Sequence, residues 1–219
     1  MRGASRTVVL VHGLWYGQLG LALLRRRLNR AGFDCHGFSY PTLRRSLTAN
    51  TRALYEFARR FDGGPLDFVG HSLGGLVILR MLDEFGGLPP GRVVLLGSPV
   101  RGSAVASQAA GLPLIRPLVG RASKVLEYGF RAAPADRETG TIMGTGHIGV
   151  GRLFRTLDQP SDGVVAVDEC HLEGATDELI LPVTHTGLVT SREAAEAVAR
   201  FLSTGRFGDG SSRNEKRET

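Results

Sequence analysis

A serine flanked by glycines is the clearest chemical feature of the sequence. The run Gly70-His71-Ser72-Leu73-Gly74 follows an apolar segment, Leu66–Val69, that predicts a strand, and precedes a mostly apolar stretch up to Phe85 that predicts a buried helix. A sharp strand-to-helix turn presents a serine hydroxyl at the edge of a sheet, beside a helix N-terminus that favours developing negative charge. The pattern therefore predicts that Ser72 is a nucleophile.

A serine hydroxyl needs a neighbouring base to attack efficiently. His185 comes directly after a predicted strand, Glu178–Val183, and before the last predicted helix, so we expect it in a loop at the carboxyl edge of the sheet. We predict His185 as the general base, with His171 as the second candidate. Three further histidines are not expected to transfer protons, and the first of them is expected to brace its loop: His12, His36 and His147.

The base in turn needs a carboxylate that fixes its tautomer and stabilises the imidazolium. Asp162 is favoured, because an aspartate before Gly163 turns the chain and the apolar pair that follows re-enters the core. Asp158 and Asp168 remain alternative acids. An Asx turn with no catalytic role is the alternative interpretation of Asp162 itself.

Acyl transfer also needs hydrogen-bond donors for the tetrahedral oxyanion. The N–H of Leu73, one residue after the serine, is one predicted donor. The second is the N–H of Leu14 in the loop after the first strand, where Gly13 makes room. Three residues beside these donors are predicted to contact substrate: Gly13, Trp15 and His71.

Strand and helix patterns alternate along the chain, which predicts a parallel sheet with helices on both faces. In such sheets ligands bind at the carboxyl ends of the strands. The predicted strands are 7–11, 33–40, 66–69, 93–96, 139–145 and 178–183. The predicted helices are 19–31, 45–61, 73–85 and a last helix that begins with a capping box of Thr190 and Glu193.

Length and composition suit one globular domain: 219 residues, 42% hydrophobic and 22% charged. We expect the domain to span 1–205, with a cap-like insertion at 98–134 and a disordered basic tail at 206–219. The two cysteines, Cys35 and Cys170, are too few for a disulfide scaffold and have no metal-ligand spacing, so neither metal nor cofactor is expected. No apolar run reaches the roughly 18–20 residues of a membrane span, and no signal peptide is recognisable, which predicts a cytoplasmic protein.

The formal charge of +6 comes mainly from arginine clusters. These lie on predicted helices whose other face is apolar, and no aromatic-interleaved RNA-binding motif accompanies them. We therefore expect no nucleic-acid partner. Peripheral contact with an anionic membrane stays open, without a motif that supports it.

Four segments together resemble the α/β-hydrolases, and in particular their bacterial lipase and esterase branch: Val9–Leu14, Gly70–Gly75, Ser161–Val165 and His185–Leu188. The resemblance runs from about Thr7 to Leu202 and keeps the family's chain order of nucleophile, acid and histidine. It implies a three-layer α/β/α sandwich. It also implies a triad of Ser72, Asp162 and His185, with Leu14 and Leu73 as oxyanion donors.

The chain departs from the family pattern at its start. The usual sheet has two antiparallel strands before the strand that ends in His-Gly, and this sequence has no room for them. We therefore expect a reduced sheet of about six parallel strands. The large lid and the calcium site of secreted lipases are not recognisable, which disfavours a specialised long-chain triglyceride lipase.

The sequence thus predicts a serine hydrolase that cleaves carboxylic esters through an acyl-enzyme on Ser72, with a small acyl ester or a lipid-like molecule as substrate. A thioesterase, an amidase or an acyltransferase with the same triad is the alternative, because one fold and one triad serve all of these reactions. A non-catalytic binding module would need a broken triad or a blocked pocket, and the sequence shows no break.

Overall fold

The computed structural model describes residues 6–14, 17–42, 44–103, 132–146 and 160–208. Within these ranges the strands are β1 (Thr7–Val11), β2 (Asp34–Phe38), β3 (Leu66–His71), β4 (Val93–Leu96), β5 (Thr139–Gly144) and β6 (Asp177–Leu181). The helices are α1 (Gly17–Gly20), α2 (Ala22–Arg30), α3 (Leu47–Ala58), α4 (Leu73–Glu84), α5 (Val167–Cys170), α6 (Gly187–Thr190) and α7 (Arg192–Thr204).

The six strands form one sheet in the order β2-β1-β3-β4-β5-β6, and every neighbouring pair is parallel. Val11, at the end of β1, stands in register with Phe38 of β2 and Gly70 of β3. The expected reduced sheet of about six parallel strands is confirmed. Since all strands point the same way, the loops that follow them meet at one edge, the carboxyl edge.

The sheet is the middle of three layers. Helices α3 and α4 pack together on one face, and α2, α6 and α7 pack on the other. The side chains of β1 alternate between the two cores: Val9 and Val11 enter the first, and Val8 and Leu10 the second. This alternation is the period of two that a strand buried on both faces requires, and the predicted α/β/α sandwich is confirmed.

Helix α4 packs against the middle of the sheet, where it contacts β1, β3 and β4, and its apolar residues are buried on nearly every side. Glycines let it approach the sheet closely. A Cβ added to Gly70 would lie 2.5 Å from the Cα of Gly75, and one added to Gly74 would collide with the carbonyl oxygen of Val11. The spacing of small residues around the serine therefore serves backbone packing.

Two boundaries differ from the sequence prediction. The last helix is capped by Ser191, whose Oγ accepts from the N–H of Ala194 at 3.1 Å, whereas Thr190 ends the short helix α6 and donates its hydroxyl to Thr186. The expected start of a disordered tail at 206 is too early, because Phe207 is buried with its ring 4.7 Å from that of Phe201.

The predicted cap at 98–134 lies largely outside the described residues, as does the tail beyond 208. Among the residues that are described, no helix is both long enough and apolar enough to cross a membrane.

Candidate active site

Ser72 occupies the turn between β3 and α4 in a backbone conformation that residues other than glycine rarely adopt. Its φ is 53° and its ψ is −123°, and it is the one non-glycine residue with positive φ in the described part of the chain. Its N–H donates to the carbonyl oxygen of Leu96, at the end of the neighbouring strand, at 2.9 Å. Strain of this kind is kept where the surroundings enforce it, and it turns the serine side chain out of the helix at the carboxyl edge.

A histidine and an aspartate form a buried pair at the same edge. The Nδ1 of His185 lies 2.6 Å from Oδ2 of Asp162, and the side chain of Asp162 is 1% exposed. The two residues are joined again through the main chain, because the N–H of His185 donates to the carbonyl oxygen of Asp162 at 2.9 Å. This double connection fixes the imidazole relative to the carboxylate.

The second oxygen of Asp162 holds its own loop. Oδ1 accepts from the N–H groups of Val164 and Val165, at 2.9 and 2.8 Å, while Gly163 has a φ of 93°. The Asx-turn and carboxylate-partner interpretations of Asp162 are therefore not exclusive. One oxygen organises the turn and the other faces His185.

The alternative candidates lie elsewhere. Asp168 is exposed on α5, and the Nδ1 of His171 faces Oε2 of Glu178 at 2.8 Å. Asp158 and His147 fall outside the described residues.

His185 is held against the residue that precedes the serine. The His71 and His185 rings are 4.5 Å apart between centroids, and Nε2–H of His71 donates to the carbonyl oxygen of His185 at 3.1 Å. Within the described part of the chain the Ser72 hydroxyl makes no hydrogen bond. The structure thus brings His185 beside the serine's neighbour and leaves a Ser72–His185 bond unmade, as ligand-free catalytic sites often do.

Gly97, directly after β4, forms the wall behind the histidine–aspartate pair. Its φ is 54°, and a Cβ placed there would lie 2.7 Å from Cδ1 of Leu188, 2.9 Å from Oδ2 of Asp162 and 3.1 Å from Nδ1 of His185. Only a residue without a side chain leaves room for this pair. Gly97 was not predicted as a site residue, although its position at the end of a predicted strand was a usable signal.

The loop after β1 is braced by two aromatic rings. The His12 and Tyr40 rings stack with centroids 4.5 Å apart, and the Tyr40 hydroxyl donates to the carbonyl oxygen of His12 at 2.7 Å. Nε2 of His12 accepts from the N–H of Tyr40, so Nδ1 carries the proton and donates to the carbonyl oxygen of Gly13. His12 therefore sits in a bracing arrangement. Tyr40, its partner, was not singled out from the sequence.

This brace keeps the loop against the serine. A Cβ on Gly13 would stand 2.9 Å from the Cβ of Ser72, so the two backbones nearly touch. Leu14 and Leu73 follow the two residues of this contact in sequence, and neither N–H donates to an acceptor among the described residues. Trp15, the predicted substrate contact that follows, is outside the described residues.

Burial keeps two of the histidines neutral. Desolvation is the main cause that holds the pKa of His71 well below its usual value, and the neighbouring His185 and His12 lower it further against the hydrogen bond to the His185 carbonyl. Desolvation likewise lowers the pKa of His12, in spite of its bond to Gly13. A neutral His71 suits its position, since Nε2–H donates to a carbonyl and no second positive charge faces His185.

The sequence matches the model of the alpha/beta hydrolase family over residues 8–177. The chain belongs to this family. Comparison with curated protein sequences gives no significant match.

Solved structures with the same fold include enzymes with different substrates. A metagenomic carboxyl esterase, MGS0156, is 18% identical with a TM-score of 0.67, over 93% of this chain and 77% of that one. A monoacylglycerol lipase from Paleococcus ferrophilus is 17% identical with a TM-score of 0.61, over 91% and 94%. The type II thioesterase BorB from the borrelidin biosynthetic cluster is 16% identical with a TM-score of 0.63, over 93% of each chain. At these identities the likeness establishes the fold.

Substituting Gly97 with alanine should disturb the His185–Asp162 pair. We expect Gly97→Ala to lower the free energy of unfolding by about 1–3 kcal/mol more than Gly87→Ala, because overpacking adds to the backbone strain. Gly87 is a matched control, since it also has positive φ (80°) but nothing lies within 4 Å of an added Cβ. Denaturant unfolding of both variants measures the difference, and equal losses would contradict the packing at Gly97.

The neutrality of His71 predicts a pH dependence of stability. Below about pH 6.5 the unfolded chain binds a proton at this histidine that the folded protein excludes, so acidification favours unfolding by up to about 1.4 kcal/mol per pH unit. His71→Gln removes this contribution and retains a donor for the His185 carbonyl. The free energy of unfolding between pH 6.5 and 5 should fall less steeply in the variant than in the wild type. Identical slopes would show that His71 is protonated in the folded protein.

Proposed function

We propose that the protein is a serine hydrolase that cleaves carboxylic esters through an acyl-enzyme on Ser72. His185 acts as general base and then as general acid, and Asp162 holds its tautomer. The N–H groups of Leu14 and Leu73 bind the oxyanion. Family membership makes hydrolysis the expected chemistry, and the assignment of these residues and of the ester bond is our inference.

One observation carries the proposal: His185 makes a buried 2.6 Å contact with Asp162 and packs against His71, the residue before the strained Ser72. A carboxylate on Nδ1 leaves Nε2 as the proton acceptor, which is the tautomer that a serine base needs. A buried aspartate beside a histidine also stabilises the imidazolium that forms when the serine loses its proton. The histidine and the aspartate then have defined tasks in the reaction.

The reaction proceeds in two halves. Ser72 Oγ attacks the acyl carbon while His185 Nε2 takes its proton, and the carbonyl oxygen becomes an oxyanion. The tetrahedral intermediate collapses when His185 returns the proton to the leaving alcohol, which departs. Water, deprotonated by His185, then attacks the acyl-enzyme and releases the carboxylic acid and free Ser72.

The loop after β1 supplies the second oxyanion donor in this proposal. The close approach of Gly13 to the Cβ of Ser72 supports Leu14 N–H as this donor, and the N-terminus of α4 adds the Leu73 N–H. The bonds from Tyr40 maintain this arrangement between turnovers. Preorganised donors of this kind need no rearrangement as charge develops.

The acyl substrate is a small ester or a lipid-like ester. Gly13 and Trp15 stay proposed contacts for it. For His71 we propose a positioning role in place of the substrate contact predicted from the sequence, because the side chain is 1% exposed and its N–H is used by the His185 carbonyl. It acts through His185.

Removing triad groups should abolish turnover without unfolding the protein. We expect Ser72→Ala to lower kcat for a short-chain p-nitrophenyl ester by roughly 10⁴–10⁶-fold. Asp162→Asn should lower it about 10⁴-fold, because the amide favours the wrong imidazole tautomer. Asp168→Asn is the matched control, since that aspartate is exposed on α5 and should leave kcat unchanged. If Asp168→Asn is inactive and Asp162→Asn is active, the acid is misassigned.

A substrate panel separates ester hydrolysis from the other reactions of the same triad. Matched acyl esters, acyl-thioesters and anilides are compared by kcat/KM, with and without a competing alcohol. We expect esters to be preferred and water to be the acceptor. A preference for thioesters or anilides, or transfer to the alcohol, identifies a thioesterase, an amidase or an acyltransferase and overturns the ester assignment.

A further inference from the structure

The charge of this protein is concentrated at one end of the sheet. Residues 14–55 contain seven arginines and a single acidic residue, Asp34. Asp34 begins β2 at the amino edge of the sheet, where its carboxylate lies 2.9 Å from Nε2 of His36. The part of residues 14–55 that lies at the carboxyl edge therefore has no acidic residue to offset its arginines.

The fold collects these arginines around β2, the outermost strand. Helix α2 covers one side of this strand, and the loop that leaves its carboxyl end carries Arg44 and Arg45, both exposed. The carboxyl end of β2 belongs to the same edge of the sheet as Ser72. Positive charge thus lies at the same edge of the sheet as Ser72, two strands away from the strand that precedes the serine.

Exposed leucines accompany the arginines. Leu19 of α1 is 91% exposed and Leu23 of α2 is 40% exposed, and Ile180 is the one other large hydrophobic residue so exposed in the described ranges. Spacing of three and four residues along α2 puts Leu23 on the same outer face as Arg26 and Arg30. On its opposite face α2 buries Leu24 and Leu28 in the core, and Leu23 takes no part in that packing.

We propose that this surface binds an anionic lipid bilayer, and we call it the basic rim: Leu19, Leu23, Arg26, Arg44 and Arg45. Leucines that protrude among arginines match a membrane interface, where apolar side chains enter the acyl boundary and guanidinium groups bind lipid phosphates. The negative surface of such a bilayer attracts a cluster of basic side chains within a Debye length. Nucleic acid would use the arginines and gain nothing from a leucine 91% exposed to water.

The position of the rim gives this binding an orientation. Leu19 lies five residues after Leu14, in the segment that continues the loop beside Ser72. A bilayer on the rim therefore faces the carboxyl edge of the sheet. The binding does not depend on the chemistry of Ser72, so the two proposals fail separately.

Vesicle co-sedimentation of the full chain carrying Ser72→Ala tests the rim without hydrolysis of the lipid. Vesicles of phosphatidylcholine with phosphatidylglycerol should bind the protein, with affinity that falls as salt increases, and pure phosphatidylcholine should not. Leu19→Ser with Leu23→Ser should weaken partitioning about tenfold or more, because the apolar contribution is lost. Arg44→Gln with Arg45→Gln should weaken it to a similar degree.

The matched control is Ile180→Ser with Arg206→Gln, an exposed apolar and basic pair at β6, the opposite edge strand of the sheet, where Arg206 donates to the carbonyl oxygen of Thr176. It should leave partitioning unchanged. Absence of binding to anionic vesicles at low salt, or equal losses in the control and rim variants, would overturn the proposal. So would tight binding of duplex DNA that the leucine substitutions leave intact, because the arginines would then serve nucleic acid.

Rim and control substitutions in the wild-type background provide the second readout. Each should hydrolyse a soluble short-chain p-nitrophenyl ester at the wild-type rate. Vesicle binding without ester turnover supports the membrane-binding rim and contradicts the proposed function. Ester turnover without vesicle binding supports the proposed function and contradicts the rim.

Discussion

The close approach of backbones around Ser72 is the constraint on which the rest of the site depends. Gly70 and Gly75 meet across the turn, Gly74 passes the end of β1, and Gly13 touches the serine from the other side. A side chain at any of these positions would force the strand and helix apart. The strained φ of Ser72 persists because the sheet and α4 determine it from both sides. The serine is therefore fixed by packing, independently of the groups that would act on it.

Electrostatics at the carboxyl edge follow from this packing. Burial holds His71 and His12 neutral, so they serve as hydrogen-bonding braces. His185 lies between His71 and Asp162, and its Nδ1 contacts the buried carboxylate of Asp162. In the proposed mechanism, the positive charge that forms on His185 therefore meets an aspartate and has no second imidazolium beside it.

The main features of the fold were predictable because they depend on local patterns. Dense apolar runs gave the strands, and the alternation of strands with helices gave the parallel sheet. His185 was predicted from its place after a strand, and Asp162 was favoured because it precedes a glycine and an apolar pair, with Asp158 and Asp168 left open as alternative acids. The structure supplies the difference, since Asp162 is buried against His185.

What escaped prediction depends on contacts between distant parts of the chain. The bond from His71 to the His185 carbonyl joins residues 114 positions apart, and Tyr40 reaches back 28 positions to His12. Gly97 matters only because Asp162, His185 and Leu188 converge on it. The predicted helix cap was wrong by one residue, because Thr190 and Ser191 both have a hydroxyl near the start of the last helix. The hydroxyl of Thr190 bonds within α6, and that of Ser191 caps α7.

The central claim is that Ser72 is an activated nucleophile. Peptide mass spectrometry of the folded protein after treatment with a fluorophosphonate tests it most directly, since such probes phosphonylate a serine whose hydroxyl is deprotonated by a neighbouring base. We expect a single adduct, on Ser72, that forms far more slowly in Asp162→Asn. An unmodified Ser72 in folded protein, or an adduct on a different residue, would contradict it.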